Sequence, residues 1–256
     1  MSCEELTPIV SVRDLKISFG SNKVLESVSF DLYAGETLGV IGPNGAGKTV
    51  LLNIISGILG ADQGEILFKG TDISKKSVTE RTMMGIGRTF QIPRSFERMT
   101  VYENALVGAV FGQNMSERSG EKKACEVLDM IGLREKKGFF AGKLGLLDRK
   151  RLEIGVALAS DPSVLLLDEA AGGLTETEVT DLLEIIGKVK STGIGVIWIE
   201  HVLQTMLHGT ERILLLAEGR DLLCGSPLEV MESKEVERVY LGTGKIGAGR
   251  RARQKA

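Results

Sequence analysis

Glu36-Thr-Leu-Gly-Val-Ile-Gly-Pro-Asn-Gly-Ala-Gly-Lys-Thr-Val-Leu-Leu-Asn-Ile-Ile-Ser-Gly57 reads as a strand, a loop and a helix in that order. Leu38 to Ile41 is a short apolar run, the pattern of a buried strand. Gly42 to Thr49 fills every fixed position of G-x-x-x-x-G-K-[ST], and Leu51, Leu52, Ile54, Ile55 and Ile58 follow at helical spacing. Glycines let a backbone wrap a phosphate without Cβ clashes, so that successive N–H groups point inward. A helix N-terminus adds partial positive charge, Lys48 adds a full one, and the Thr49 hydroxyl is placed to meet Mg²⁺. The nucleotide-binding residues expected here are therefore Gly42, Pro43, Asn44, Gly45, Ala46, Gly47, Lys48, Thr49 and Val50. A glycine hairpin that merely turns would leave Lys48, Thr49 and the following helix unexplained.

Outward from this loop, composition sets the class. A chain of 256 residues suits one large α/β domain or two small ones, and 43% apolar content suffices for a substantial core. A net charge of −2 provides no field favouring nucleic acid, and no nucleic-acid partner is expected. Cys3, Cys125 and Cys224 are far apart and odd in number, which fits neither a metal site nor a disulfide framework. They read as buried or idle thiols in a reducing compartment. The start Met-Ser-Cys-Glu-Glu lacks the basic and apolar segments of a signal peptide, and no run reaches the ~18 apolar residues of a membrane span. The expected location is cytoplasmic, with any membrane role that of a peripheral partner.

Ile9 to Phe19 alternates imperfectly, as an edge strand does, Lys23 to Leu25 reads as a connection, and Ser27 to Tyr33 is a second strand. Beyond the loop helix, Glu65 to Phe68 is another strand, so an antiparallel β layer flanks the nucleotide-binding unit. Met84 to Gln91 is a short strand ending in a polar residue. Thr100-Val-Tyr-Glu103 is a capping box opening a helix over Val101 to Val107. Phe111 to Lys123, polar and Gly-interrupted, reads as a solvent loop, and further helices carry Ala124 to Ile131 and Asp148 to Ala159. The α/β rhythm returns with apolar Val164 to Leu167, a capped helix from Thr175 to Gly193, apolar Gly195 to Ile199, and a hairpin over Arg212 to Leu216 and Asp221 to Gly225. Thr243 to Ala256 is a basic, Gly-rich tail expected to be disordered, with contact to anionic lipid or a partner as the alternative.

The hydrolytic chemistry is predicted at strand ends. Nucleotide-binding sheets present their sites at strand C-termini, so Asp168 and Glu169 would face the phosphates. Asp168 is the expected Mg²⁺ ligand and Glu169 the group that polarises the attacking water. His201 ends a neighbouring apolar strand and is expected to bond the γ-phosphate, whereas His208 reads as an ordinary surface residue. Gln91, at a third strand end, could reach Mg²⁺ or the lytic water. Phe19, before Gly20, offers a ring for the adenine face, with core packing as its rival.

The loop, Gln91, Leu167-Asp-Glu169 and His201, in this order and spacing, resemble the ATP-binding subunit of an ABC transporter over Ile9 to about Gly242. The resemblance implies a P-loop NTPase with a RecA-like core, an antiparallel β subdomain and an inserted α-helical subdomain. The ATPase domain would span 1–242, with the helical insertion at roughly 93–155 and the tail at 243–256. Gly85-Ile-Gly-Arg-Thr-Phe-Gln-Ile-Pro-Arg-Ser-Phe-Glu-Arg-Met-Thr-Val-Tyr-Glu-Asn104, with Arg151-Leu-Glu-Ile154 and Ile199-Glu-His201, is similar to the branched-chain (hydrophobic) amino acid uptake family. That likeness implies ATP and Mg²⁺ as cofactors, and an integral membrane permease docked on the segment after Gln91. It also implies a second ATP-binding subunit, identical or different, paired head-to-tail. Substrate would arrive from an extracytoplasmic solute-binding protein, with the chain on the cytoplasmic face of the membrane. The signature Leu-Ser-x-Gly-Gln is replaced by Leu144-Gly145-Leu146-Leu147-Asp148, which lacks the serine hydroxyl, has Leu147 in place of the glycine and gains a carboxylate at Asp148. Ala170 stands where proline is usual, and Thr175 where the pattern has Asp. Alternatives are an ATPase for urea, short amides or exported lipid, a soluble ABC-type ATPase in DNA repair or translation, and a non-hydrolysing regulatory module.

Overall fold

The apolar runs become strands covered on both faces. In the computed structural model, which describes residues 7–241, β1 (Val10–Phe19) and β2 (Asn22–Leu32) form a hairpin, β3 (Thr37–Ile41) leads into the glycine loop, and α1 (Lys48–Ile55) leaves it. The strands β4 (Gln63–Phe68) and β5 (Thr71–Asp72) precede α2 (Val78–Met84) and β6 (Ile86–Arg88). A helical segment then carries α3 (Val101–Gln113), α4 (Glu117–Met130) and α5 (Leu146–Ala159). The chain closes with β7 (Val164–Asp168), α6 (Glu176–Ser191), β8 (Gly195–Ile199), α7 (Leu203–Gly209), β9 (Arg212–Ala217), β10 (Arg220–Gly225), α8 (Pro227–Met231) and α9 (Lys234–Leu241).

One ten-stranded sheet runs β5-β4-β1-β2-β10-β9-β3-β8-β7-β6. The pairings among β5, β4, β1 and β2 are antiparallel, and β9, β3, β8, β7 and β6 are mutually parallel. The fold is thus a P-loop NTPase α/β sheet with an antiparallel layer beside it. Alternation along the parallel strands assigns side chains to two cores. Leu165, Leu167, Val196, Trp198, Ile213 and Leu215 join the core under α3 to α6. Leu166, Ile197, Ile199, Leu214 and Leu216 join the core under α1, where Leu51, Leu52, Ile54 and Ile55 are buried. Two covered faces explain why these strands read as continuous apolar runs instead of alternating ones. Each such Leu or Ile contributes roughly 1.5–3 kcal/mol by leaving water.

Four readings of the sequence change. Ile9 to Phe19 is not an edge strand, because β1 lies between β4 and β2. Its imperfect alternation comes from register shifts around Asp14, whose φ is +47°. Lys23 to Leu25 belongs to β2, and the hairpin turns at Gly20 and Ser21. Phe111 to Lys123 is not a loop but the end of α3, a short turn and the start of α4. The glycine that suggested a break is a contact instead, since a Cβ at Gly112 would strike the Ser160 side chain on α5. The fourth change is α2, opened by a Ser77–Glu80 capping box that the sequence reading passed over. Of the two alternatives for the thiols, burial does not hold for Cys125 and Cys224, which are free and exposed. The tail 243–256, like Cys3, lies outside the described residues.

Helix α1 ends on an internal clamp. Arg81 is 2% exposed and donates from Nη1 to Ile54 O at 2.6 Å and Ile55 O at 2.9 Å. Its other nitrogens reach Ser74 O and Lys76 O, both at 3.0 Å. Carbonyls at a helix C-terminus have no partner within the helix, and a cation there opposes their partial charge. Arg81→Met is expected to destabilise the chain by about 3 kcal/mol in urea denaturation, because several buried carbonyls lose their donors together. A loss indistinguishable from that of an exposed arginine would refute the clamp.

Candidate functional site

The strands β3, β8, β7 and β6 are neighbours and parallel, so their C-terminal ends share one edge of the sheet. The glycine loop leaves β3, Gln91 lies three residues past β6, Asp168 is the last residue of β7, and His201 lies two past β8. The four predicted positions are brought together by this topology alone.

Gly47 caps α1 at φ +97°, and a Cβ there would meet Leu25 at 2.6 Å and Val24 O at 3.1 Å. Only glycine combines that backbone with that close approach. The contact also brings the β1–β2 hairpin against the loop. Phe19, at the end of β1, is 51% exposed, so its ring is not core packing and is free to stack. Lys48 is buried, and its Nζ donates to Gly42 O at 2.7 Å and Pro43 O at 3.0 Å. Desolvation lowers its pKa, and the charges of Glu169 and Asp168 oppose that shift.

Glu169 is clamped by two predicted partners. Gln91 Nε2 donates to Oε2 at 2.5 Å, and His201 Nε2 donates to Oε1 at 2.6 Å. Its backbone takes a left-handed φ of +50°, which costs a non-glycine residue on the order of 1 kcal/mol. Three contacts hold it there. Glu169 N donates to Ile199 O at 2.9 Å, and the carbonyl accepts from Gly172 N at 3.2 Å and Lys150 Nζ at 3.1 Å.

Asp168 is 3% exposed, and burial pushes its carboxyl pKa up while Arg88 draws it down. Arg88 Nη2 lies 3.5 Å from Oδ2, and Oδ1 is buried without a hydrogen-bond partner. An unpartnered buried carboxylate oxygen near the Thr49 hydroxyl fits a divalent cation. Among the described residues no group of three His, Cys, Asp or Glu could hold a metal by itself. Mg²⁺ requires no such cage, since it is typically held by one or two protein groups together with phosphate oxygens.

The altered loop behaves differently from its sequence reading. Gly145 caps α5 without any side-chain hydrogen bond. Asp148, read as a carboxylate facing a partner's phosphates, is ion-paired to Lys136 and, at 3.6 Å, to Arg151. Its charge is compensated within the chain.

Sequence reasoning passed over four further residues. Arg88 also donates to Ser56 Oγ at 2.7 Å, and Glu200 is 2% exposed, accepting from Ala171 N and Trp198 Nε1. Lys150 and Glu153 complete the set. For Arg88 and Glu200 a signal existed, namely a charged residue at the end of an apolar strand, three positions before Gln91 and one before His201.

Residues 25–172 match the family described as ABC transporter. The chain is 33% identical over 234 residues to the lipopolysaccharide export system ATP-binding protein LptB of Haemophilus influenzae, covering 91% of this chain and 97% of that one. It is 32% identical over 250 residues to the high-affinity branched-chain amino acid transport ATP-binding protein LivG of Escherichia coli, covering 92% and 98%. A crystal structure of an ATP-binding cassette of an ABC transporter in its ADP conformation superimposes with a TM-score of 0.84 at 30% identity, covering 92% of this chain and 99% of that one.

Proposed function

Since the chain belongs to the ABC transporter family and is its ATP-hydrolysing cassette, we propose that it energises an importer of branched-chain or other hydrophobic amino acids. The observation that carries the hydrolytic part is Glu169, held between Gln91 and His201 beside Lys48 and Asp168. Water attacks the γ-phosphorus, the bond to the β–γ bridging oxygen breaks, and ADP and phosphate leave. Glu169 orients the water and draws on its proton, while Lys48 and the loop N–H groups hold the phosphate oxygens. Thr49, Asp168 and Gln91 would hold Mg²⁺, whose charge offsets that on the transferred group. His201, whose Nε2 holds Glu169 in this structure, would turn that N–H to the γ-phosphate when ATP binds, and Phe19 would stack on the adenine. The direct test is phosphate release from MgATP by the purified chain. Its absence, alone and in the membrane complex, would refute the reading.

The amino-acid substrate is supported by the segment Gly85 to Asn104 and by the 32% identity to LivG. The 33% identity to LptB supports lipid export as the second reading. The two separate in reconstituted vesicles. Stimulation of hydrolysis by an amino-acid-loaded binding protein favours import, and stimulation by lipopolysaccharide alone favours export.

The partners proposed are a permease, a second ATP-binding subunit paired head-to-tail, and indirectly the solute-binding protein, with the chain peripheral on the cytoplasmic face. No helix of the described residues is long and apolar enough to cross a membrane. An apolar groove of about 350 Å³ opens beside the Gln91 segment, lined by Ile58, Val78, Phe90, Phe96 and Phe111 among others. Phe96 and Phe111 are 54% and 75% exposed, and the Phe96 backbone is fixed by Asn104 Oδ1 at 2.8 Å. An apolar rim of this kind on a fixed loop suits an anchored partner helix. Phe96→Asp is expected to release the chain from membranes of cells making the full transporter, with nucleotide affinity retained. Membrane association that survives the change would exclude this groove.

A further inference from the structure

The first turns of α5 carry two long charged side chains that reach this chain's own site. Lys150 Nζ donates to Glu169 O at 3.1 Å, and Glu153 Oε1 accepts from Phe90 N at 2.8 Å. The Arg94 amide also draws the Glu153 carboxyl pKa down. Positions i and i+3 lie on one face of a helix, so a single turn touches both backbones. One is the strained turn of Glu169. The other is the segment that carries Gln91, whose side chain holds Glu169 from the opposite direction.

We infer that Lys150 and Glu153 are positioning residues, a brace through which α5 sets the distance between the Gln91 segment and the Glu169 turn. The inference rests on the hydrolytic reading above. Glu169 keeps a φ of +50° only while its surroundings impose it, and Lys150 is one of the two donors on its carbonyl. Gln91 reaches Glu169 at 2.5 Å only while its own segment stays in place, and Glu153 binds that segment at Phe90, the residue before Gln91.

Stability alone does not account for either side chain. Lys150 is 6% exposed, and desolvation lowers its pKa against the attraction of Glu200, Glu153 and Glu169. Burial pushes the Glu153 carboxyl up to about 7, with the Phe90 and Arg94 amides and Lys150 pulling the other way. A carboxyl raised in the folded state favours folding below its unfolded value, and that contribution is lost as pH rises through about 7. At pH 8 the ionised Glu153 therefore opposes folding, and removing its charge is not expected to lower the melting temperature. An uncharged residue would serve packing better. What the two side chains do supply is an acceptor and a donor on two backbones that must not move.

The test compares the full chain with Glu153→Ala, Glu153→Gln, Lys150→Met and Lys150→Arg. Amide hydrogen exchange is expected to quicken in residues 89–94 for Glu153→Ala and in residues 169–172 for Lys150→Met, with the rest of the sheet unchanged. Turnover at saturating MgATP should fall about tenfold or more in both, at unchanged nucleotide affinity, because the displaced groups act on the reacting water and not on binding. Glu153→Gln and Lys150→Arg keep an acceptor and a donor and should restore both readouts. Exchange that stays at the native rate in these two segments would overturn the brace, as would turnover losses that merely follow melting temperature. A native chain without hydrolysis would instead refute the hydrolytic reading, and the exchange rates would still decide the brace.

Discussion

Lys48→Ala is expected to remove most MgATP binding, a loss of about 2–5 kcal/mol measured by titration calorimetry. The size follows from where the ammonium sits. Lys48 is 6% exposed, and burial already lowers its pKa, so its charge acts through little water. The carbonyls of Gly42 and Pro43 orient it within the loop, which spares a bound phosphate the entropy of ordering a free lysine. Removing it leaves the loop N–H groups and the N-terminus of α1, which attract phosphate more weakly. The fold should survive, since the contacts of α1 with the sheet come from Leu51, Leu52, Ile54 and Ile55. Nucleotide affinity unchanged in a folded variant would refute the phosphate cradle.

That cradle was the most legible part of the chain, and the reason is local. Its glycines, lysine and helix are adjacent in sequence, and each residue type has a physical cause that acts within a few residues. Asp168 and His201 were legible for a related reason, as polar residues closing apolar runs. Contacts over long sequence separation were not. Nothing near Gly112 reveals that Ser160 packs against it, so a packing glycine read as a break and half of α3–α4 read as a loop. Arg81 looks like any helix arginine until α1 is seen to end beside it. Lys150 and Glu153 likewise sit in a sequence, Arg149-Lys-Arg-Leu-Glu, that equally describes a solvated helix face. Only packing distinguishes the buried Lys150 from its neighbours.

Asp148 shows the same limit in the opposite direction. The sequence displays an added carboxylate where a phosphate would approach. The fold displays Lys136 and Arg151 against it, with Asp181 on Arg151 at 2.9 Å. A neutralised carboxylate repels little, so any deficit of this loop toward a partner's nucleotide has two remaining sources, of which one is Leu147, a side chain where the signature has glycine. The other is Gly145, which offers no hydroxyl and caps α5 with backbone alone. Backbone N–H groups at a helix start still attract phosphate, so such a site would bind better than it turns over.

Glu169→Gln is therefore expected to bind ATP normally and to lose turnover by roughly 10²-fold or more. Lys48 and the glycine loop, to which binding is assigned in the proposal, are untouched by the change. The amide fills the carboxylate's volume but offers one acceptor where Gln91 Nε2 and His201 Nε2 each need one. It also has no charge with which to draw a proton from water. The partner pairing then gives the prediction its sharper form. In the head-to-tail pairing proposed above, the site built on this chain's Lys48 and Glu169 would meet the partner's signature loop, and the partner's site would meet Gly145. If the partner is a different ATPase, Glu169→Gln should abolish nearly all hydrolysis, whereas the same substitution of the partner's catalytic glutamate should cost much less. Phosphate release from the two singly substituted complexes measures the difference directly. Equal losses would mean that Leu144 to Asp148 serves the second site as well as a serine-bearing loop does, and that the missing hydroxyl has no consequence for turnover.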